Sequence, residues 1–357
     1  MKVGRRWGIV VAGALTLFLA TVVPAQAVGS FRAPVTLVNN CNWGTADATG
    51  SAAGDVAGFV SCGNAITFFR YSGGSASSAT TGYVGDVLAS AWDGADTAFV
   101  VFANANTLRL GKRTLSTGAM PSSIVLATGA GSKGFTADIA ASAGKYWAVW
   151  SKPTNSTAGA QTELWQQRTL NGTAGPTRIT VTASNIDDDQ PSVAYADGKL
   201  TLAWHRRTVQ GSGGPEVIRL GTSTGGPPSA ANITANREGQ QRPSVAVDNG
   251  HTYVAWTDSG QNIGLMERDN ASGSWKTQKA ANGHVHILDI AVSRGTVFLA
   301  YNEGDNPQVH VAERHGSWTT TSLTNGVPHT PVAVAAANGK ATVLYRTSSA
   351  LILQRQN

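Results

Sequence analysis

The chain has 357 residues, of which 41% are hydrophobic and 13% charged, with 27 Lys and Arg against 21 Asp and Glu. That apolar share and length exclude a disordered chain and allow a sizeable core. The formal charge of +6 overstates the basic character, because Lys2, Arg5 and Arg6 lie in the first 27 residues. With those three set aside, 24 basic residues stand against 21 acidic ones, too small an excess to mark a nucleic-acid binder.

Residues 1–27 read as a secretory leader: a basic start, the apolar run IVVAGALTLFLATVV, and the small-x-small triplet Ala25-Gln26-Ala27. The rest, 28–357, reads as one domain of an exported, extracellular protein, with no later stretch long and apolar enough to cross a bilayer. FRAPVTLV, residues 31–38, is a short β-type segment standing alone before the first repeated unit. Cys41 and Cys62 are the only cysteines, and in an oxidising compartment they are expected to form a disulfide.

From there to the C-terminus one frame recurs: an apolar strand, a tight Gly-bearing turn, and a second apolar strand ending in an aromatic. It is loosest at Gly54–Phe59 and Gly94–Phe102. It is regular at Gly144–Trp150, Gly198–Trp204, Gly250–Trp256, Gly295–Tyr301 and Gly339–Tyr345, where the aromatic follows the glycine by six residues. The fourth and fifth units nearly repeat each other, PSVAYADGKLTLAW and PSVAVDNGHTYVAW. A third strand follows in most units and carries an arginine: Arg70, Arg113, Arg168, Arg268, Arg314 and Arg355. A weaker fourth strand closes each unit.

Seven units of this size predict an all-β, seven-bladed β-propeller of four-stranded blades. The last unit stops at Asn357 after its third strand, so residues 31–38 are expected to supply the missing fourth strand and close the ring. Six blades with a strand-rich extension is the alternative, since the first unit is the weakest. Features present in every blade belong to the scaffold. The strand-end aromatics and the third-strand arginines are therefore assigned to packing.

Candidate functional residues are those that differ between blades. The hairpin turns joining first and second strands are generic, so attention falls on the opposite face. Leading into the first strands are Asp187-Asp188-Asp189-Gln190, Gln240-Gln241-Arg242, His284-Val285-His286 and Pro328-His329. After the second strands come Ser151, His205-Arg206-Arg207, Asp258, Glu303 and Arg346. In a closed ring these converge on one mouth of the central channel, giving a ligand site of Asp189, Gln190, His205, Arg206, Gln241, Arg242, His286, Glu303, His329 and Arg346. Such a mouth suits a heavily hydroxylated or anionic ligand, a glycan above all. Acid–base chemistry would fall to Glu303, Asp258, His205 or His286. No cofactor is called for. Asp187–Asp189 reads as a surface loop, with Ca²⁺ as the one ion its oxygens would suit.

Phe31-Arg32-Ala33-Pro34 is similar to the Phe/Tyr-Arg-Ile-Pro motif of sialidases. Asp269-Asn270-Ala271-Ser272-Gly273-Ser274-Trp275 and Gly316-Ser317-Trp318 resemble worn Asp-box repeats of that superfamily. The resemblance implies a propeller and, for true sialidases, an arginine triad. Arg32 matches its first member by motif, whereas Arg242 and Arg346 could join only by position. A Tyr/Glu nucleophile pair has no counterpart by motif, and sialidases have six blades. The expected function is non-catalytic recognition of an extracellular carbohydrate. The alternatives are a sialidase-like glycoside hydrolase or polysaccharide lyase, and a protein–protein scaffold.

Overall fold

The computed structural model describes residues 30–39, 41, 45–51, 53–129, 134–155, 161–180, 185–208, 216–224, 228–234, 241–258, 260–281, 285–303, 308–323, 326–327 and 332–357. The leader-like residues 1–27 lie outside this set, as do His284, His329 and the side chains of Gln241 and His286.

The described strands, numbered β1–β28 along the chain, form seven antiparallel sheets of four. The innermost strands, one per blade, are β2 (Ala46–Gly50), β6 (Asp86–Trp92), β10 (Ala137–Ser142), β14 (Ile186–Ala196), β18 (Gln241–Asp248), β22 (Val285–Ser293) and β26 (Ala333–Ala337). Each is followed outward by its hairpin partners, so the fold is a seven-bladed β-propeller. Blade seven has the order β26, β27 (Lys340–Arg346), β28 (Ala350–Arg355), then β1 (Val35–Asn39). The segment before the first repeat thus completes the last blade, with Val35 opposite Leu353 and Asn39 opposite Ala350. A further bridge joins Phe31 to Gln356.

Alternation along the second strand of each blade decides which neighbour a side chain meets. Trp150 packs on blade two, Trp204 on blade three, Trp256 on blade four, Tyr301 on blade five and Tyr345 on blade six. Each of these aromatics is at most 7% exposed. Trp256 needs its strand partner to be Gly264, where a Cβ would lie 2.5 Å from the indole ring. In blade one the equivalent slot is filled by Val60, which packs against blade seven, while Phe59 faces blade two. The frame read from the sequence is therefore one residue out in that blade. With a period of two, one residue is enough to reverse the face.

The third-strand arginines lie between or beside aromatic rings. Arg70 sits over Trp92, Arg113 over Phe68, Arg355 over Tyr71, and Arg314 over Tyr253 with an ion pair to Glu267 at 2.9 Å. Arg168 instead donates to the Asn171 carbonyl.

A second device links the inner strands. One slot on each holds Asp47, Ala89, Asp138, Ser192, Ser244, Asp289 and Ala333 in turn. Where the slot is polar, its oxygen accepts the backbone N–H of the next blade's inner strand. Asp47 takes Ser90, Asp138 takes Val193, Ser192 takes Val245, Ser244 takes Ile290 and Asp289 takes Val334. The junction from blade seven to blade one has alanine in this slot. It is there that Cys41, just past β1, is disulfide-bonded to Cys62 at the end of the second strand of blade one (Val56–Cys62).

Removing this disulfide with paired Cys41→Ser and Cys62→Ser substitutions should cost about 3 kcal/mol, the chain-entropy value for a loop of this size. Urea unfolding of the two proteins under oxidising conditions measures the difference.

Candidate functional site

Two cavities lie along the ring axis. One, about 230 Å³, opens where the inner strands begin and is lined by Asp47, Asp138, Ser192, Arg242, Ser244 and Asp289 with Pro191, Pro243 and Leu288. The other, about 280 Å³, is lined by the later halves of the same strands, which are mainly alanine, with Trp92 and Tyr195. Both share the Asp47, Asp138, Ser192, Ser244 and Asp289 ring. The polar slot that links the blades is therefore also the waist of the channel.

The three carboxyls at this waist sit deep in the channel with protein around them. Desolvation drives Asp138 up to about 7 and Asp289 up to about 6, against the backbone N–H groups of Val193 and Val334. Asp47 is raised well above the ordinary carboxylate range by burial, then by the charges of Asp138 and Asp289. Among the described residues, the lining of the larger cavity holds no Lys, Arg or His.

Arg242 stands on the mouth side. It and Gln190 occupy matching places two residues before the slot serines, each at a bulge where the strand register shifts. Both have left-handed backbones, φ 52° and 48°. That conformation is unfavourable for residues with a Cβ, by roughly 1 kcal/mol or more, and runs against the extended preference of a residue before proline; hydrogen bonds from each backbone N–H to a side chain hold it. The Gln190 N–H donates to Thr136 Oγ1, and the Arg242 N–H donates to Gln190 Oε1 at 2.6 Å. Bulges of this kind re-aim side chains at sheet edges. Among the described residues the Arg242 guanidinium has no carboxylate partner.

The other candidates are placed differently. Asp187–Asp189 is no surface loop but the start of β14, paired with the end of β15 (Lys199–Thr208). Asp187 pairs with Arg207 at 2.8 Å. Asp188, fully buried, takes both Arg206 nitrogens at 2.6 Å and the Trp204 indole N–H at 2.9 Å. Asp189 contacts His205 Nδ1 at 2.7 Å, and His205 Nε2 lies 3.7 Å from Glu216 Oε1. The oxygens considered for Ca²⁺ are thus engaged by Arg207, Arg206 and His205 within blade four. No group of three or more His, Cys, Asp or Glu among the described residues is placed to hold a metal ion.

The slot after each strand-end aromatic faces the blade interface, not the mouth. His205 is 2% exposed and Arg346 8%. Asp258 Oδ1 accepts the N–H groups of Gly260 and Asn262, fixing its own turn. Glu303 lies 3.5 Å from His310 Nε2, whose ring stacks on Tyr301 and whose pKa is lowered by burial. Arg32 is exposed beside the outermost strand of blade seven, its N–H on the Arg355 carbonyl, so it does not meet Arg242 on the axis. The Asp269 carboxylate closes a turn by accepting the Ala271 and Ser272 N–H groups. The site therefore reduces to an axial mouth carrying Arg242 above a ring of acids and hydroxyls. The sequence missed Asp47, Asp138 and Asp289, because aspartates among small residues on regular strands resemble ordinary pattern breaks.

These features define a closed seven-bladed propeller with a polar axial site. No protein-family model matches the sequence, and no curated protein does. Among solved structures the chain is similar to virginiamycin B lyase from Staphylococcus aureus, at 13% identity and TM-score 0.55, over 92% of this chain and 100% of that one. It is similar to the β-propeller domain of the trilobed protease from Pyrococcus furiosus, at 10% identity and TM-score 0.53, over 90% and 96%. Trypanosoma rangeli sialidase also matches, at 10% identity and TM-score 0.45, over 92% of this chain and 55% of that one. Likeness to the lyase and the protease propeller establishes the propeller fold alone.

Two outcomes follow from the electrostatics. Asp138 and Asp289 bind protons more tightly folded than unfolded, so their contribution to stability is full below about pH 4. It is lost as pH rises through 6 to 7. Stability measured by urea unfolding should fall over that interval, and Asp138→Asn should flatten the slope. In blade four, Arg206→Met leaves the buried Asp188 carboxyl without its guanidinium partner. It should cost about 3–5 kcal/mol, read in the same assay.

Proposed function

We propose that the protein is an exported propeller that binds a carbohydrate at the axial mouth without turning it over. The observation that carries this reading is the mouth cavity itself. The Arg242 guanidinium, without a carboxylate partner among the described residues, can donate to ring or acidic oxygens, while Asp47, Asp138 and Asp289 can accept from hydroxyls. A dense mixture of donors and acceptors around a small concave site is what a polyol requires. Export is supported by the leader-like residues 1–27 and by the Cys41–Cys62 bond, which persists in oxidising compartments.

Binding without turnover is favoured because the described acid–base candidates are occupied. His205 lies between two carboxylates, and Asp258 holds a turn. Glu303 faces His310. Gln190 would act by positioning Arg242, through its bond to the Arg242 N–H. His286, Gln241 and His329 remain proposed contributors at the same mouth.

A glycan array followed by titration of the best binder tests this. Arg242→Ala should weaken binding by about tenfold or more with the thermal melt unchanged. Asp258→Asn should leave affinity intact. Release of reducing sugar or unsaturated uronate from a polysaccharide panel would instead make the protein an enzyme. Unchanged affinity in Arg242→Ala would remove the mouth as the site.

A further inference from the structure

A second polar cavity lies away from the axis, between blades four and five on the hairpin-turn side. It encloses about 170 Å³ and is lined by Lys199, Thr201 and Thr222 of blade four with Thr252, Arg268 and Asn270 of blade five. Its origin is a gap in the repeat. Six blades carry an arginine near the end of the third strand, but blade four has Thr222 and Ser223 there, opposite Thr201 and Leu200. The side chain that fills this place elsewhere is missing, and space remains.

The gap is rich in hydrogen-bond donors. Arg268 packs over Trp275 but has no ion pair among the described residues, and its buried Nε has no hydrogen-bond acceptor. Thr252 Oγ1 donates to Asn270 Oδ1 at 3.0 Å, which leaves the Asn270 amide N–H₂ as its free end. Lys199 is exposed at the rim. Asp197 also lines the cavity, so the two cations leave a net positive charge. Donors from a guanidinium, an ammonium and an amide converging on a small space match an oxyanion.

We propose that this interblade cavity is an oxyanion subsite, taking a sulfate or carboxylate group such as an acidic polysaccharide carries. It is independent of the axial mouth. Calorimetric titration with sodium sulfate and with galacturonate, at constant ionic strength, tests it. Saturable binding of at least one is expected, weakened about tenfold or more by Arg268→Met. Sulfate alone would point to a sulfate ester, and galacturonate alone to a uronate. Thr222→Arg supplies the side chain that six other blades carry in this region, so it should fold and fill the space. It should abolish the same binding that Arg268→Met weakens. Absence of saturable binding, binding indifferent to Arg268→Met, or Arg268-dependent binding that survives Thr222→Arg would each overturn the proposal.

Discussion

Ring closure is the constraint on which the rest depends. Seven sheets meet edge-on around an axis, and each inner strand has to be tied to the next without a continuous backbone ladder. The protein solves this with one side-chain slot. Five junctions are joined by Asp or Ser accepting the following blade's N–H. The junctions from two to three and from seven to one have Ala89 and Ala333 in the slot, and the latter is closed by other means: β1 paired to β28, and the Cys41–Cys62 bond carrying β1 across to blade one. Gly50 there has no Cβ, and one would lie 2.8 Å from the Ala335 side chain. Close backbone approach and a covalent tie replace the polar link.

Using aspartate in the slot has an electrostatic consequence. A serine would satisfy one N–H at little cost. Each aspartate satisfies two or more: Asp289 takes Ile290, Val334 and the Ser244 hydroxyl. It also brings a carboxyl into a narrow channel next to two others. Those bonds stabilise the charged form, while burial and mutual repulsion oppose it, and burial is the larger effect. The waist is thus both a structural joint and the most strongly perturbed group of acids among the described residues.

Much of the scaffold was legible in the sequence because it depends on repetition. Gly198 and Trp204 recur as Gly250 and Trp256, and that alone carries strand, turn, strand and packing face. The closing strand was legible from what the last blade lacked, and the disulfide from there being only two cysteines. The site was less legible because it depends on register. Asp187–Asp189 read as a loop because its partners, Arg206, Arg207 and His205, lie across a hairpin. Only the pairing of Asp188 with Arg206 turns three adjacent acids into a strand. His205 and Arg346 were placed on the right strand ends, but alternation sends them between blades. Phe59 was one residue from the slot that Val60 fills.

Departures from the repeat are not spread evenly around the ring. Blade four begins with an acidic run matched by Arg206, Arg207 and His205. Its third strand carries Arg219 over Trp204 but has Thr222 and Ser223 where the other blades have their arginine, and it leaves a cavity against blade five. Blades four and five share the left-handed residues Gln190 and Arg242, linked to each other by a backbone-to-side-chain bond. Strain, buried charge and missing packing all reduce stability, and a repeat protein could remove each by copying a neighbouring blade. The sector retains all three at once. Scaffold requirements do not account for that, since the other blades meet them more simply. The proposed binding function would, because a ring of nearly equal units can present a distinct surface only where its units differ.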